Sequence, residues 1–264
     1  MALPFISARG SRGGSFAAGP AAPSSETKVT RQDDLVHWWK LDDASDSIGS
    51  ATLTHVNDAA IQSSNARFDS AWEGDGTGDY SHAENTVTPI GDAVTVSFWA
   101  RMASSASLEA ILTITDDATT DDAYATSGLA FLQLSGPALS CYIRHGVKDG
   151  GTYVTNNNAS FGAFTVERWY FFAVTYSESS DELKTYKADF SGSDGSSPDE
   201  DTTLVTTYSV TDGNQLRPSD SLVIGDHQFG ELDGQVDDIR YYNVELSKPE
   251  IDAIYGENGA GDMG

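Results

Sequence analysis

The stretch Gly234-Gln-Val-Asp-Asp-Ile-Arg-Tyr-Tyr-Asn-Val-Glu-Leu-Ser-Lys-Pro-Glu-Ile-Asp-Ala-Ile-Tyr-Gly256 reads as a strand followed directly by a helix. Its first part, 235–242, carries the β-branched and aromatic residues that suit a pleated, half-buried surface. Its second part opens on Ser247-Lys-Pro-Glu250, a capping box with proline early in the first turn. Ile251, Ile254 and Tyr255 then supply one apolar face, and Gly256 suits a C-terminal stop. This is the one strong helix signal. Working back toward residue 35, the chain is a series of short β-type runs separated by Gly, Asp, Asn and Ser clusters. Expected strands are 35–41, 93–102, 110–115, 128–134, 139–145, 169–177, 183–189, 204–210, 221–224 and 235–242. Alternation is clearest where Val94, Val96 and Phe98 face away from Thr95 and Ser97, and weaker where Leu183, Thr185 and Lys187 oppose Lys184 and Tyr186. No helical crossover separates the runs, so antiparallel pairing in a sandwich follows. Long polar loops are expected at 116–127, 146–160 and 191–203, where ligand contacts concentrate.

Composition bounds the function. A chain of 264 residues with 39% hydrophobic and 10% aromatic residues has enough apolar material for one sizeable core. A formal net charge of −25 repels nucleic-acid phosphates and anionic lipid headgroups, so neither nucleic acid nor membrane is an expected partner. The single cysteine, Cys141 in Leu139-Ser-Cys-Tyr-Ile143, excludes an internal disulfide framework and reads as a small buried hydrophobe. No apolar run approaches the length of a membrane span. The opening Met1-Ala-Leu-Pro-Phe-Ile6 is too short for a signal-peptide core, so export by the standard route is not expected.

The expected organisation is an extended arm over 1–33, one sandwich over 34–256 and a flexible tail over 257–264. Residues 7–31 are rich in Gly, Ser, Ala and Pro and cannot bury enough surface to offset the entropy of ordering. Over 7–31 the arm is basic on an acidic body: Arg9, Arg12, Lys28 and Arg31 stand against Glu26 alone. A plain linker is one reading. A docking peptide is the other, because the apolar tip Leu3, Phe5 and Ile6 followed by Arg9 and Arg12 combines an anchor with steering charge.

Several stretches together resemble a known family. These are Leu35-Val-His-Trp-Trp-Lys-Leu-Asp-Asp43, Gly76-Thr-Gly-Asp-Tyr80, Thr95-Val-Ser-Phe-Trp-Ala-Arg101, Arg168-Trp-Tyr-Phe-Phe-Ala-Val-Thr-Tyr176, and the closing 234–251. In that order they resemble the laminin-G-like jelly rolls of the concanavalin A-like lectin/glucanase superfamily, over about 35–255. The resemblance implies an all-β fold: two antiparallel sheets of about six or seven strands each, with a short C-terminal helix. It implies Trp39, Phe98, Trp99, Trp169 and Phe171 as core residues. Alternation cannot place both Trp38 and Trp39 inside, so one of them is expected on a rim or against the arm. One departure is Ser70-Ala-Trp-Glu-Gly74, which reads as an insertion after Phe68-Asp69.

The resemblance also frames the chemistry. The glucanases of the superfamily use a Glu-x-Asp-x-x-Glu motif, and Glu231-Leu-Asp233-Gly-Gln-Val236 puts valine where the acid/base should be, so no hydrolase is expected. No nucleophile elbow, phosphate loop or Cys/His cluster is present, and His37, His55, His82, His145 and His227 show no ligand spacing. In many family members one Ca²⁺ joins the first strand, the Gly-Asp loop and the aspartate at the start of the last strand. Carried over residue by residue, this implies Asp237 as a side-chain ligand and Asp238 as a second. The backbone near Leu41 and Asp42, and the loop at Asp75 and Gly76, would contribute. Asp237 could equally accept backbone N–H bonds at a bulge.

Two functions are expected. The opening Met1-Ala-Leu-Pro-Phe-Ile-Ser-Ala-Arg-Gly10 resembles that of some phage virion proteins. This supports a non-enzymatic component of a tailed bacteriophage, a head decoration or a fibre, present in several copies and docked on other virion proteins through its arm. The alternative is a cell-surface or secreted carbohydrate-binding module. For glycan contact the loop aromatics Tyr124, Tyr153, Phe161 and Phe164 are the expected residues.

Overall fold

The structure, a computed structural model, describes residues 29–104, 108–116, 127–134, 140–149, 152–190, 199, 201–210, 216–225 and 230–259. Among these residues, fifteen strands form two antiparallel sheets in a jelly-roll sandwich, closed by one short C-terminal helix. The eight-stranded sheet runs in the order β13 (Thr203–Ser209), β12 (Glu182–Phe190), β11 (Trp169–Ser177), β6 (Ala93–Met102), β15 (Asp233–Tyr242), β4 (Ala71–Asp75), β3 (Ala60–Gln62), with β1 (Leu35–Trp39) also paired to β15. The seven-stranded sheet runs β10 (Thr152–Ala163), β9 (Ser140–Asp149), β8 (Ser127–Leu134), β7 (Glu109–Thr115), β14 (Ser221–Ile224), β5 (Tyr80–Ala83), β2 (Thr54–Val56).

Period-two alternation gives the larger sheet two apolar faces. On β6, Val94, Val96, Phe98, Ala100 and Met102 point into the main core between the sheets, with Trp39, Trp72, Phe131, Phe161 and Phe172. Trp99 points the other way, into a second cluster with Phe171, Tyr186 and Tyr242, roofed by helix α1 (Lys248–Gly259) through Ile251, Ile254 and Tyr255. Trp99 and Phe171 are therefore buried on the outer face of this sheet, under the helix, and Trp169 lies half-buried beside them. The helix supplies the cover that lets an outward tryptophan be fully buried.

Three stretches differ from the sequence reading. The segment read as an insertion is strand β4, which pairs with both β3 and β15. The expected loop at 146–160 is mostly a long hairpin: Asp149 and Thr152 are register partners, and β10 tolerates its Asn156-Asn-Asn158 run because it is an edge strand with two irregularities. Helix α1 has the expected capping box, with Ser247 Oγ donating to Glu250 Oε2 at 2.7 Å, but it runs past Gly256 to Gly259. Glu257 explains the extension, because Thr30 donates to its Oε1 through both the backbone N–H and the hydroxyl, while Arg240 Nη1 holds its Oε2 at 2.6 Å. The root of the arm is thus packed on the body. Val29 joins the second cluster, Arg31 reaches Glu250 at 3.0 Å, and the Tyr242 hydroxyl donates to the Thr30 carbonyl at 3.3 Å.

Candidate functional site at the bulge of the closing strand

β15 changes partner halfway along. Asp233–Val236 pairs with β4, whereas Ile239–Tyr242 pairs with β1, and the register against β6 shifts between Asp237 and Arg240. Asp238 takes the extra position with φ of 48°, a left-handed conformation that aspartate tolerates better than most residues. The bulge places two successive carboxylates on the outer side of the sheet and fully or nearly buries both.

Each carboxylate has a separate fate. Asp237 accepts from the Phe68 N–H at 3.0 Å through Oδ2, while its Oδ1 has no hydrogen-bond partner among the described residues. Burial pushes its carboxyl up to about 8, the neighbouring charges of Asp238 and Asp42 push the same way, and the Phe68 N–H opposes them. Asp238 is fully engaged: Trp38 Nε1–H donates to Oδ1, and Arg240 Nε lies 3.2 Å from Oδ2. Arg240 is 1% exposed, joins Asp238 to Glu257, and sits 4.6 Å from the centre of the Trp38 ring, its register partner on β1.

Above the bulge lies a cleft of about 190 Å³ lined by Trp38, Lys40, Asp42, Phe68, Asp69 and Asp238. Trp39 is the inward member of the tryptophan pair, and Trp38 is the half-buried rim residue that alternation required. Lys40 Nζ lies 4.5 Å from the Trp38 ring centre. Partial burial, and then the charge of Asp69, push the Asp42 carboxyl up, while Lys40 opposes them.

Of the expected calcium ligands, the structure brings Asp42, Asp237 and Asp238 together. Asp75 is elsewhere: it faces Asp233 across β4 and β15, about 13 Å up the strand from Asp237 at ordinary strand rise, and its Oδ1 accepts from the Thr77 N–H at 2.9 Å. Among the described residues, no group of three or more His, Cys, Asp or Glu side chains is arranged to hold a metal ion. The donor set fits an ion only in part. Asp237 Oδ1 is an orphaned buried acceptor, but Asp238 already has a guanidinium as its counter-ion.

The expected glycan contacts are corrected as well. Phe161 is 1% exposed and packs on Phe131 and Phe172, because β10 continues through the expected loop and turns this ring into the core, and Phe164, directly after the strand, is 6% exposed against Tyr170. Tyr153 lies on β10, and its side chain and that of Cys141 are outside the described residues, as are Tyr124 and the arm residues Leu3, Phe5, Ile6, Arg9 and Arg12. His37 forms a chain of contacts that resembles a hydrolytic triad, with Asp46 at 2.6 Å from Nδ1 and Thr88 Oγ1 at 3.1 Å from Nε2. The Thr88 N–H also donates to Nε2 at 2.8 Å, so the lone pair a general base would use is occupied. Asp46 accepts from four backbone N–H groups as well, which pulls its carboxyl well below the ordinary range despite burial and marks the pair as a brace for the loop after β1. Val236, at the position of the missing glucanase acid, points into the main core.

No family model matches the chain, and no curated protein matches it by sequence. Solved structures do. The receptor-binding domain of botulinum neurotoxin C/D mosaic serotype superposes with a TM-score of 0.56 at 13% identity, over 84% of this chain and 51% of that one. The binding domain of botulinum neurotoxin DC in complex with SialylT gives 0.57 at 12%, over 86% and 52%. The receptor-binding domain of botulinum neurotoxin D gives 0.57 at 12%, over 84% and 52%. The likeness is one of fold. The chain spans about half the length of these structures.

Proposed function

We propose that the chain is a non-enzymatic structural and recognition component of a tailed-bacteriophage particle, a head decoration or fibre protein present in several copies. In this reading the arm docks on neighbouring virion subunits and the jelly roll faces outward, where it can bind glycans. The observation that carries the reading is the fixed root of the arm, where Val29, Thr30 and Arg31 are held on helix α1 and β15. A segment anchored there leaves the body from one defined place, as a tether to a neighbour requires. The phage-like opening and the basic charge of the arm support the same reading. Among the described residues no helix is long and apolar enough to cross a membrane. Deleting residues 1–28 keeps every contact of the root, so the truncated protein should melt with the full chain yet be absent from purified particles when analysed by mass spectrometry. Full incorporation of the truncated form sinks the reading. A cell-surface or secreted carbohydrate-binding module is the second reading, favoured by the use of this fold in receptor-binding domains.

Calcium belongs to the proposal as a structural ion at the bulge, held by Asp237 and Asp42 with backbone carbonyls near Leu41, where φ is 61°. The acid has its own signature. A folded-state value of about 8 lies above the roughly 3.9 of an unfolded aspartate, so the stability it contributes is complete below about pH 4 and is lost as pH rises to 8. In chelator, the melting temperature of the wild type should therefore fall more steeply from pH 5 to pH 8 than that of Asp237→Asn. At pH 8, Ca²⁺ should raise the wild-type value and leave Asp237→Asn unmoved. Identical wild-type melting with Ca²⁺ and chelator retires the ion, and parallel pH profiles retire the buried acid.

A further inference from the structure

The cleft over the bulge is built as a platform with acceptors around it. Trp38 is fixed in orientation by its indole N–H to Asp238, and its ring centre lies 4.6 Å from buried Arg240 Cζ and 4.5 Å from Nζ of the exposed Lys40. Phe68 adds a second partly buried aromatic, and Asp42 and Asp69 stand exposed at the rim. Beneath them, Asp237 Oδ1 is a fully buried carboxyl oxygen with no hydrogen-bond partner among the described residues, adjoining Phe68, Asp42 and Asp238. An aromatic face flanked by acceptors suits a ligand with an apolar C–H face and a ring of hydroxyl donors.

We propose that this cleft is a sugar subsite that takes one uncharged pyranose ring, stacked on Trp38 in place of the Lys40 ammonium, with hydroxyls donating to Asp42 and Asp69. The proposal rests on the recognition reading above and assigns it a place. Size sets the limit of one ring, since about 190 Å³ falls below the roughly 300–1,000 Å³ of pockets for drug-sized ligands. Charge sets the class. Two rim carboxylates, with Lys40 the one cation among the described residues that line the cleft, on a chain of net charge −25, repel sialic acid and sulfated sugars, whereas neutral hydroxyls satisfy the acceptors without adding charge. Lys40 is exposed and long, so its displacement costs little.

The test titrates the full chain with the methyl glycosides of glucose, galactose, mannose and N-acetylglucosamine, and with sialic acid, reading tryptophan fluorescence and saturation-transfer NMR. At least one neutral glycoside should bind with a Kd of about 1 mM, the weak range of single-ring contacts. Asp42→Asn and Trp38→Ala should each weaken it at least tenfold, and sialic acid should be silent. Asp42 is exposed, so in chelator, where no calcium ion depends on it, Asp42→Asn keeps the wild-type melting curve and separates lost binding from lost folding. The subsite is overturned if none of the neutral glycosides binds, if sialic acid binds as well as they do, or if Asp42→Asn binds unchanged. A glycan array then separates the two levels: binding that survives Trp38→Ala leaves the recognition reading standing without this subsite, and a silent array removes glycan recognition altogether.

Discussion

Replacing Arg240 with methionine lowers the melting temperature by about 10 °C. The guanidinium is 1% exposed and is the counter-ion of buried Asp238 at 3.2 Å and of half-buried Glu257 at 2.6 Å, so its removal leaves both carboxylates without their cation. Breaking a buried pair by removing one partner costs about 3–5 kcal/mol, and each kcal/mol moves the midpoint of a domain this size by about 2–4 °C. Methionine keeps much of the packing on Trp38, which confines the loss to charge. The second variant in the cycle tests that cause: adding Asp238→Asn to Arg240→Met should recover part of the loss, because one of the stranded charges is gone. A single variant that melts within about 2 °C of the wild type, less than 1 kcal/mol by the same scale, would show that the network is solvated and does not hold the bulge.

Trp99→Ala should cost about as much, for a different reason. Trp99 is fully buried, with ring centres of Phe171, Tyr255, Phe190 and Phe68 at 5.4, 5.6, 5.8 and 5.9 Å, and Arg67 Cζ is 4.5 Å from its own. Truncating a buried tryptophan to alanine costs about 3–5 kcal/mol in lost burial and residual cavity. The cavity opens under helix α1 and leaves the core between the sheets intact. Limited proteolysis should therefore cut the variant first near 248–259, while the strands stay protected. Cleavage spread evenly over the chain would show that the two clusters melt as one.

The sandwich was legible where strands are long and central. β6, β11 and β15 carry dense β-branched and aromatic runs, and Ser247 to Glu250 reports the helix cap without help from tertiary structure. The short edge elements were not, because β2 and β3 have three residues each and too little pattern to alternate. β4 hid its trace differently: Trp72 is core, yet its neighbours Glu73 and Gly74 read as loop. β10 was hidden by its asparagines, and the aromatics beyond them were taken for loop residues when they are core. In the site, the Asp237-Asp238 pair was visible through the family resemblance. Alternation also put one of Trp38 and Trp39 on a rim, but Lys40, Asp69 and Glu257 carried no signal, and Arg240 was hidden because strict alternation would set Val236, Asp238 and Arg240 on one face. The bulge breaks that parity and brings Arg240 outward beside Trp38. A lone arginine in an otherwise apolar half-strand, two residues after an acidic pair, was the available signal.

The clamp at the root of the arm decides how the molecule would carry mechanical load. Tension entering at Val29 meets the Thr30 bonds to Glu257 and the Arg31 bridge to Glu250, both on the helix, before it reaches the Leu35–Tyr242 end of β1. The pull is thus handed to the helix first. Under force the seam between helix and first strand would yield before the two layers separate, so a copy held by its arm, as proposed, would stretch at its attachment while the sandwich kept its shape.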